Sequence, residues 1–144
     1  MNAPANRLHL LDAVYHGALR FITGCKPITH HCTLYTLVNW SSLSMRRTIH
    51  WYIFIYKSII GLLPPYLTSY LSRNQSSYSL RSRDIITFSI PSVRTEHGKK
   101  AFSFSAPSSW NTLQQSLKLS SFIPLARFKL LLRELESASM VCSC

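Results

Sequence analysis

The residues of this chain that could do acid–base chemistry are few and scattered. Five acids serve 144 residues, and two of them, Glu134 and Glu136, stand near the C-terminus. Asp12, Asp84 and Glu96 remain for the body, each in a different segment, so a catalytic carboxylate pair would have to be assembled from distant parts of the chain. There is no Asp-Asp pair of the kind that holds two Mg²⁺ ions. The glycines, Gly17, Gly24, Gly61 and Gly98, stand singly and make no phosphate-cradling loop. No serine sits in a Gly-x-Ser-x-Gly elbow. Histidines could supply bases, but lone helical histidines are ordinarily surface or half-buried residues. The expectation is a non-enzymatic chain with no catalytic residue, no cofactor and no small-molecule substrate.

Metal chemistry has one place to look. Cys25, His30, His31 and Cys32 gather ligand-type side chains in one short stretch. No Cys-x-x-Cys knuckle is present, however, and the neighbours His30, His31 and Cys32 do not easily converge on one tetrahedral ion. Cys142 and Cys144, one residue apart, have poor geometry for a bridge. No metal is expected. The opening Met-Asn-Ala-Pro-Ala-Asn-Arg lacks the apolar core of a secretory signal. The cysteines therefore read as free thiols in an intracellular protein of nucleus or cytoplasm.

Charge is the stronger signal. Sixteen Lys and Arg face five Asp and Glu, a net charge of +11, which points to polyanionic partners, either nucleic acid or an anionic membrane surface. The basic clusters are Arg46-Arg47, Arg81 and Arg83, Arg94, and Lys99-Lys100, at a helix start or in loops where long side chains reach a phosphate backbone. Tyr78 and Phe88 flank this region as possible stacking platforms, with a place in the core as the alternative. The expected contact is with phosphate and not with base edges. A blander reading makes the excess charge a means of keeping a short apolar chain soluble.

These residues must be carried by one small domain, since apolar residues make up 47% of the chain and charged ones 15%, outside the composition of disordered chains. Leu8, Leu11, Tyr15, Ala18 (or Leu19) and Ile22 recur at helical spacing over 7–23, with Gly24 at the C-cap, and Asp12 and His16 one turn apart on the outer face. Thr33 caps a short helix ending near Trp40. Ser41 or Ser42 opens a helix near 42–60, apolar almost all round from Ile49 and therefore central to the core, stopped by Gly61 and Pro64-Pro65. The apolar tract from Ile49 to Leu63 is too short and too polar to span a bilayer. Pro65 starts a short helix through Leu71. Residues 72–84 form a serine- and arginine-rich loop. Ile85–Ile90 and Ala101–Ser105 alternate like two strands of a small hairpin. Helices then run from Pro107 or Ser108 to Leu117 and from a Ser121 cap, with Pro124 in the first turn. The expected fold is mainly α, a single domain over 1–136 of about five helices with one short β-hairpin, followed by a frayed tail over 137–144.

Several tracts, taken in order, carry a resemblance. They are Leu19-Arg20-Phe21-Ile22-Thr23-Gly24; Leu34-Tyr35 through Trp40-Ser41-Ser42-Leu43 to Arg46-Arg47; Ile55-Tyr56-Lys57; Leu63-Pro64-Pro65-Tyr66-Leu67; and Leu80-Arg81-Ser82. The most diagnostic run is Arg94-Thr95-Glu96-His97-Gly98-Lys99-Lys100-Ala101-Phe102-Ser103, continued by Ala106-Pro107-Ser108-Ser109-Trp110-Asn111-Thr112-Leu113 and Phe128-Lys129. Across roughly residues 8–136 the chain resembles the C-terminal region, downstream of the polymerase domain, of reverse transcriptases encoded by non-LTR (LINE-type) retrotransposons, especially Rex-type and chicken-repeat-type vertebrate elements.

The resemblance implies a detached piece of a decayed or truncated element, starting at an internal Met1 and lacking the polymerase Asp-Asp motif and the endonuclease domain. Its implied partners are RNA or DNA backbone and, in the intact element, the parent polymerase domain. It also implies that Gly98 allows a turn ahead of the Ala101–Phe104 strand and that Trp110 anchors the following helix in the core. Three readings follow: a non-catalytic nucleic-acid-contacting fragment, a remnant with no stable fold of its own, and a basic peripheral membrane protein.

Overall fold

The computed structural model describes residues 5–74 and 85–138, with side chains over 6–74 and 85–135. It is mainly helical: α1 (Ala5–Thr23), α2 (His31–Val38), α3 (Leu43–Ile59), α4 (Pro65–Ser69), α5 (Glu96–Lys100), α6 (Phe102–Leu117) and α7 (Leu125–Ala138). Two compact units result, Met1–Ile49 with Arg133–Cys144, and His50–Leu132. The expected tail beyond residue 138 and the loop over 75–84 lie outside the described residues.

The helix ends follow from local chemistry. Ser42 Oγ accepts from Met45 N at 3.2 Å and so caps α3. At the other end of α3, Gly61 takes φ 75°, Gly61 N donates to Ser58 O and Leu62 N to Lys57 O at 2.8 Å, a Schellman closure that needs a left-handed residue. Asn39 does the same for α2 at φ 52°, with Trp40 N reaching Tyr35 O at 3.0 Å. Gly24 ends α1 at φ 65°. Pro65 opens α4, where its missing N–H costs nothing.

In the first unit α1 packs against α2, burying Leu19 and Leu34. Asp12 and His16 do not choose each other as partners. Asp12 faces Arg47 at 3.8 Å, and His16 Nε2 is hydrogen-bonded to the Tyr35 hydroxyl. Arg20 donates to Thr29 O at 3.2 Å, tying α1 to the connector before α2.

The second unit is built around three stacked rings. Tyr56 of α3 lies 4.0 Å, centroid to centroid, from Phe128 of α7, and Trp110 of α6 stands 5.9 Å from Tyr56. Phe88 meets Trp110 edge-on at 6.1 Å. Ile55, Leu71, Ile86, Ala106, Leu113 and Leu132 are buried with them. Trp110 is wholly buried, as expected of an anchor, and its Nε1 donates to Ile86 O at 2.7 Å.

The extended pairing survives in minimal form with a different partner. Arg73 and Phe88 make one antiparallel bridge, flanked by Asn74 N to Thr87 O at 3.0 Å and Ser89 N to Ser72 O at 2.8 Å. Residues 102–105 are instead the first turn of α6, because Phe102 gains edge-on contact with both Trp51 and Phe54 at 5.9 Å when that segment is helical. Pro107 therefore lies inside α6 and does not start it.

Segment 86–88 has its strand partner on one side only. On the other, side chains of α6 take the place of a strand. Asn111 Oδ1 accepts from Phe88 N at 2.9 Å while Asn111 Nδ2 donates to Phe88 O at 2.8 Å. Ile86 N donates to Leu119 O, and Leu119 N in turn donates to Gln114 Oε1 at 2.8 Å. The Tyr56 hydroxyl treats Ile123 alike, donating to its carbonyl and accepting from its N–H at 2.9 Å. That grip keeps Ile123 out of a helix, so α7 begins at Leu125 and not at a Ser121 cap.

Asn111→Ala leaves both polar groups of Phe88 without their side-chain partner, and unpaired buried groups cost about 1–3 kcal/mol each. The expected result is a lower urea midpoint with unchanged slope, followed by tryptophan fluorescence. Tyr56→Phe, acting on Ile123, should fall in the same range. A change below about 0.5 kcal/mol in both would contradict this account of the unit.

Candidate nucleic-acid interface

The expected basic residues fall into two groups, one in each unit. Arg46 and Arg47 sit just inside α3. Arg46 is exposed, with its guanidinium 5.6 Å from the centre of the Trp40 ring, a cation–π contact that holds a long side chain in a defined direction. Trp40 is itself 43% exposed. In the sequence Trp40 stands near a helix end and within a resemblance tract; the signal for its exposed role is a tryptophan directly ahead of a Ser-Ser helix start. Arg47 is partly committed to Asp12. Because both partners remain partly in water, the pair is worth about 0–1 kcal/mol, and a phosphate can compete for the guanidinium.

Arg94, Lys99 and Lys100 share one short stretch of the second unit, and all three are exposed. Thr95 caps α5, its Oγ1 accepting from Gly98 N at 3.0 Å. Gly98 is inside this helix and has no left-handed backbone. It is glycine for space, since a Cβ there would come within 3.2 Å of Val93 Cβ and 3.1 Å of Thr95 Oγ1. The turn expected at Gly98 is thus a helical one, and the break falls at Ala101, whose extended backbone joins α5 to α6. Lys99 Nζ donates to Glu96 Oε1 at 2.6 Å, and this hydrogen bond holds the Glu96 carboxyl below its ordinary value. One lysine of the stretch is accordingly engaged by a carboxylate.

Arg81, Arg83 and Tyr78 lie outside the described residues. Phe88 is buried against Trp110 and offers no stacking face, so its alternative place in the core is the one found. Arg46 and Arg47 belong to one unit and Arg94, Lys99 and Lys100 to the other.

A second constellation joins α1 to α2. The His16 ring stacks on His31 at 5.2 Å and 13°, His30 lies 4.2 Å from His31, and Tyr15 and Tyr35 border the group. His30 is the N-cap of α2, its Nδ1 accepting from Cys32 N at 3.4 Å. Burial above all, then the neighbouring His31 and Arg20, lowers the His16 pKa below 6.5, with Asp12 opposing. Burial raises the Tyr35 pKa, so the hydroxyl stays protonated. His30, His31 and Cys32 each bring one ligand-type atom within 4.8 Å of the others, the one such group among the described residues.

Comparisons of the chain with family models, with curated proteins and with solved structures find no match. Among the described residues no helix is long and apolar enough to cross a membrane.

The His16 environment gives stability a pH dependence of known sign. Its folded-state pKa is depressed, so the unfolded chain binds more protons, and the stabilisation is complete above about 6.5 and lost as the pH falls below it. Urea midpoints measured between pH 7.5 and 5 should decline, and His16→Gln should flatten part of that decline. An unchanged slope in the variant would show that His16 carries none of it.

Proposed function

We propose that this chain is a non-catalytic segment of a non-LTR retrotransposon reverse transcriptase, from downstream of the polymerase domain, that holds RNA or DNA through sequence-independent phosphate contacts. One observation carries the contact: five carboxylates can neutralise at most five of sixteen bases, so whatever the pairing, eleven positive side chains must be answered by something other than this chain's own acids. The family reading is supported by the order and spacing of the tracts from Leu19 to Lys129 and by the local duties of their uncharged members. Thr95 caps α5, Gly98 leaves room for Val93, Trp110 binds Ile86 and Asn111 binds Phe88. Those duties explain why such residue types would recur in a shared framework. Of the basic members described, Arg46, Arg94, Lys99, Lys100 and Lys129 are exposed, where phosphate could reach them, while Arg20, Arg47 and Lys57 are half-buried.

Phosphate neutralisation releases counterions. With six or seven contacts, duplex affinity should drop by about 10³ or more between 50 and 200 mM salt. A flat salt response, or no binding at the lower salt, removes the nucleic-acid role. Arg46→Glu with Arg47→Glu should weaken binding alike for all sequences. Glu96→Gln should strengthen it, because Lys99 is released from its carboxylate partner. Trp40→Ala, which removes a ring and no charge, should leave the salt slope unchanged.

A second reading, that the chain is a remnant whose apolar faces were once covered, is favoured by one feature of the first unit. Phe21 and Ile28 are 89% and 90% exposed, and Leu10, Val14 and Ile22 of α1 also face solvent. Soluble monomers do not ordinarily leave such apolar clusters bare. This reading predicts strong binding of an apolar-surface dye and a broad thermal transition; a sharp transition with no dye signal excludes it.

A further inference from the structure

We propose that His30, His31 and Cys32 form a zinc site at the entrance to α2. Three consecutive residues do not easily converge on one tetrahedral ion, but the path of the chain helps these to do so: His30 is in extended backbone at φ −64°, ψ 142°, while His31 and Cys32 are already helical. The change of backbone conformation brings three side chains toward one point, with their ligand atoms within 4.8 Å of one another. Ligand atoms about 2.0–2.3 Å from a tetrahedral zinc stand about 3.4–3.7 Å apart, so side-chain rotation alone, with no shift of the helix, closes the sphere. Two imidazoles and one thiolate suit zinc and reject magnesium and calcium, which take oxygen ligands.

The surroundings give His31 a fixed ring plane. It is stacked on His16 of α1, and His16 is held in turn by the Tyr35 hydroxyl. His16 and Tyr35 are positioning residues here, the counterpart of the outer partners that orient metal-bound imidazoles. Metal binding converts the Cys32 thiol to the thiolate ligand and releases its proton to solvent. Two terms oppose binding: the positive end of the α2 dipole and the loss of the long 3.4 Å cap from Cys32 N to His30 Nδ1. That cap must open whichever nitrogen of His30 turns to the metal, because coordination at Nε2 places the proton on Nδ1. The fourth position is left to solvent.

The test is a titration of the full chain, reduced, with Co²⁺ as a spectroscopic stand-in and Zn²⁺ as competitor. A near-ultraviolet thiolate-to-cobalt band should saturate at one metal per chain and be erased by Zn²⁺. Cys32→Ser should abolish the band, and His30→Gln or His31→Gln should each weaken binding by about tenfold or more. Cys25→Ser and the double variant Cys142→Ser, Cys144→Ser should retain it. A readout that needs no variant guards against misfolding: in the unaltered chain, zinc should slow alkylation of Cys32, read by mass spectrometry, and leave Cys25 unprotected. The proposal is overturned by absence of a band at millimolar Co²⁺, by a band that survives Cys32→Ser or disappears with the tail cysteines, or by equal alkylation of Cys32 with and without zinc.

Discussion

Stranded backbone polar groups are the constraint on which the second unit depends. Segment 86–88 and Ile123 run extended among helices, where N–H and C=O groups buried without partners would each cost free energy comparable to a lost hydrogen bond. A second full strand would be the ordinary remedy. Here the remedy comes from side chains, with Trp110 and Asn111 on α6 and Tyr56 on α3 each placing a polar atom on a backbone group. The same residues are aromatic or adjacent to aromatics, so fastening and packing occur in one layer. The polar ends of Tyr56 and Trp110 are fixed in this way, and their rings stack with each other and with Phe128. This explains how a chain with a single β-bridge among its described residues can hold extended segments in place.

The acids bear on the proposed phosphate contact more than their number suggests. Two of the five are placed against bases singled out for phosphate contact, Asp12 on Arg47 and Glu96 on Lys99. The Glu96–Lys99 pair is a surface pair, weak in water and screened by salt, so a polyanion with many phosphates can displace it, whereas the 3.8 Å Asp12–Arg47 pair is half-buried. Arg46 differs in kind. Its partner is the Trp40 ring, which directs the guanidinium without cancelling its charge. A cation oriented by an aromatic ring keeps its full attraction for phosphate, whereas a cation oriented by a carboxylate gives most of it up.

Much of the fold was legible because caps and breakers speak locally. Ser42, Gly24, Gly61 and Pro65 end or begin helices within two residues of the expected places, since each acts through its own backbone or its nearest neighbours. What misled was alternation without context. Phe102-Ser103-Phe104-Ser105 has the period of a strand, and only the distant Trp51 and Phe54 make it helical. Ser121 has the chemistry of a cap, but Ile123 precedes Pro124, which disfavours helical backbone there, and is held by the Tyr56 hydroxyl. The basic residues were legible as charges but not as partners, because Asp12 and Arg47 stand far apart in sequence. The ring cluster of His16, His31 and Tyr35 was hidden for the same reason, needing α1 and α2 to be laid together before it exists.

A division of labour within the diagnostic tract follows from these placements. Between Arg94 and Asn111, the uncharged residues that stand out by type, Thr95, Gly98, Trp110 and Asn111, all serve the framework by capping, by leaving room or by binding backbone. The charged ones, Arg94, Lys99 and Lys100, are exposed and contribute little to packing. Framework residues restrict which substitutions a fold survives, so they preserve a pattern whether or not any activity remains. Surface charges are under no such restriction, and a cationic excess that serves no partner can be neutralised one residue at a time at little cost to stability. The proposed contact with nucleic acid therefore stands or falls with the charges, and the proposed ancestry with the framework. The two can be tested separately on the same chain.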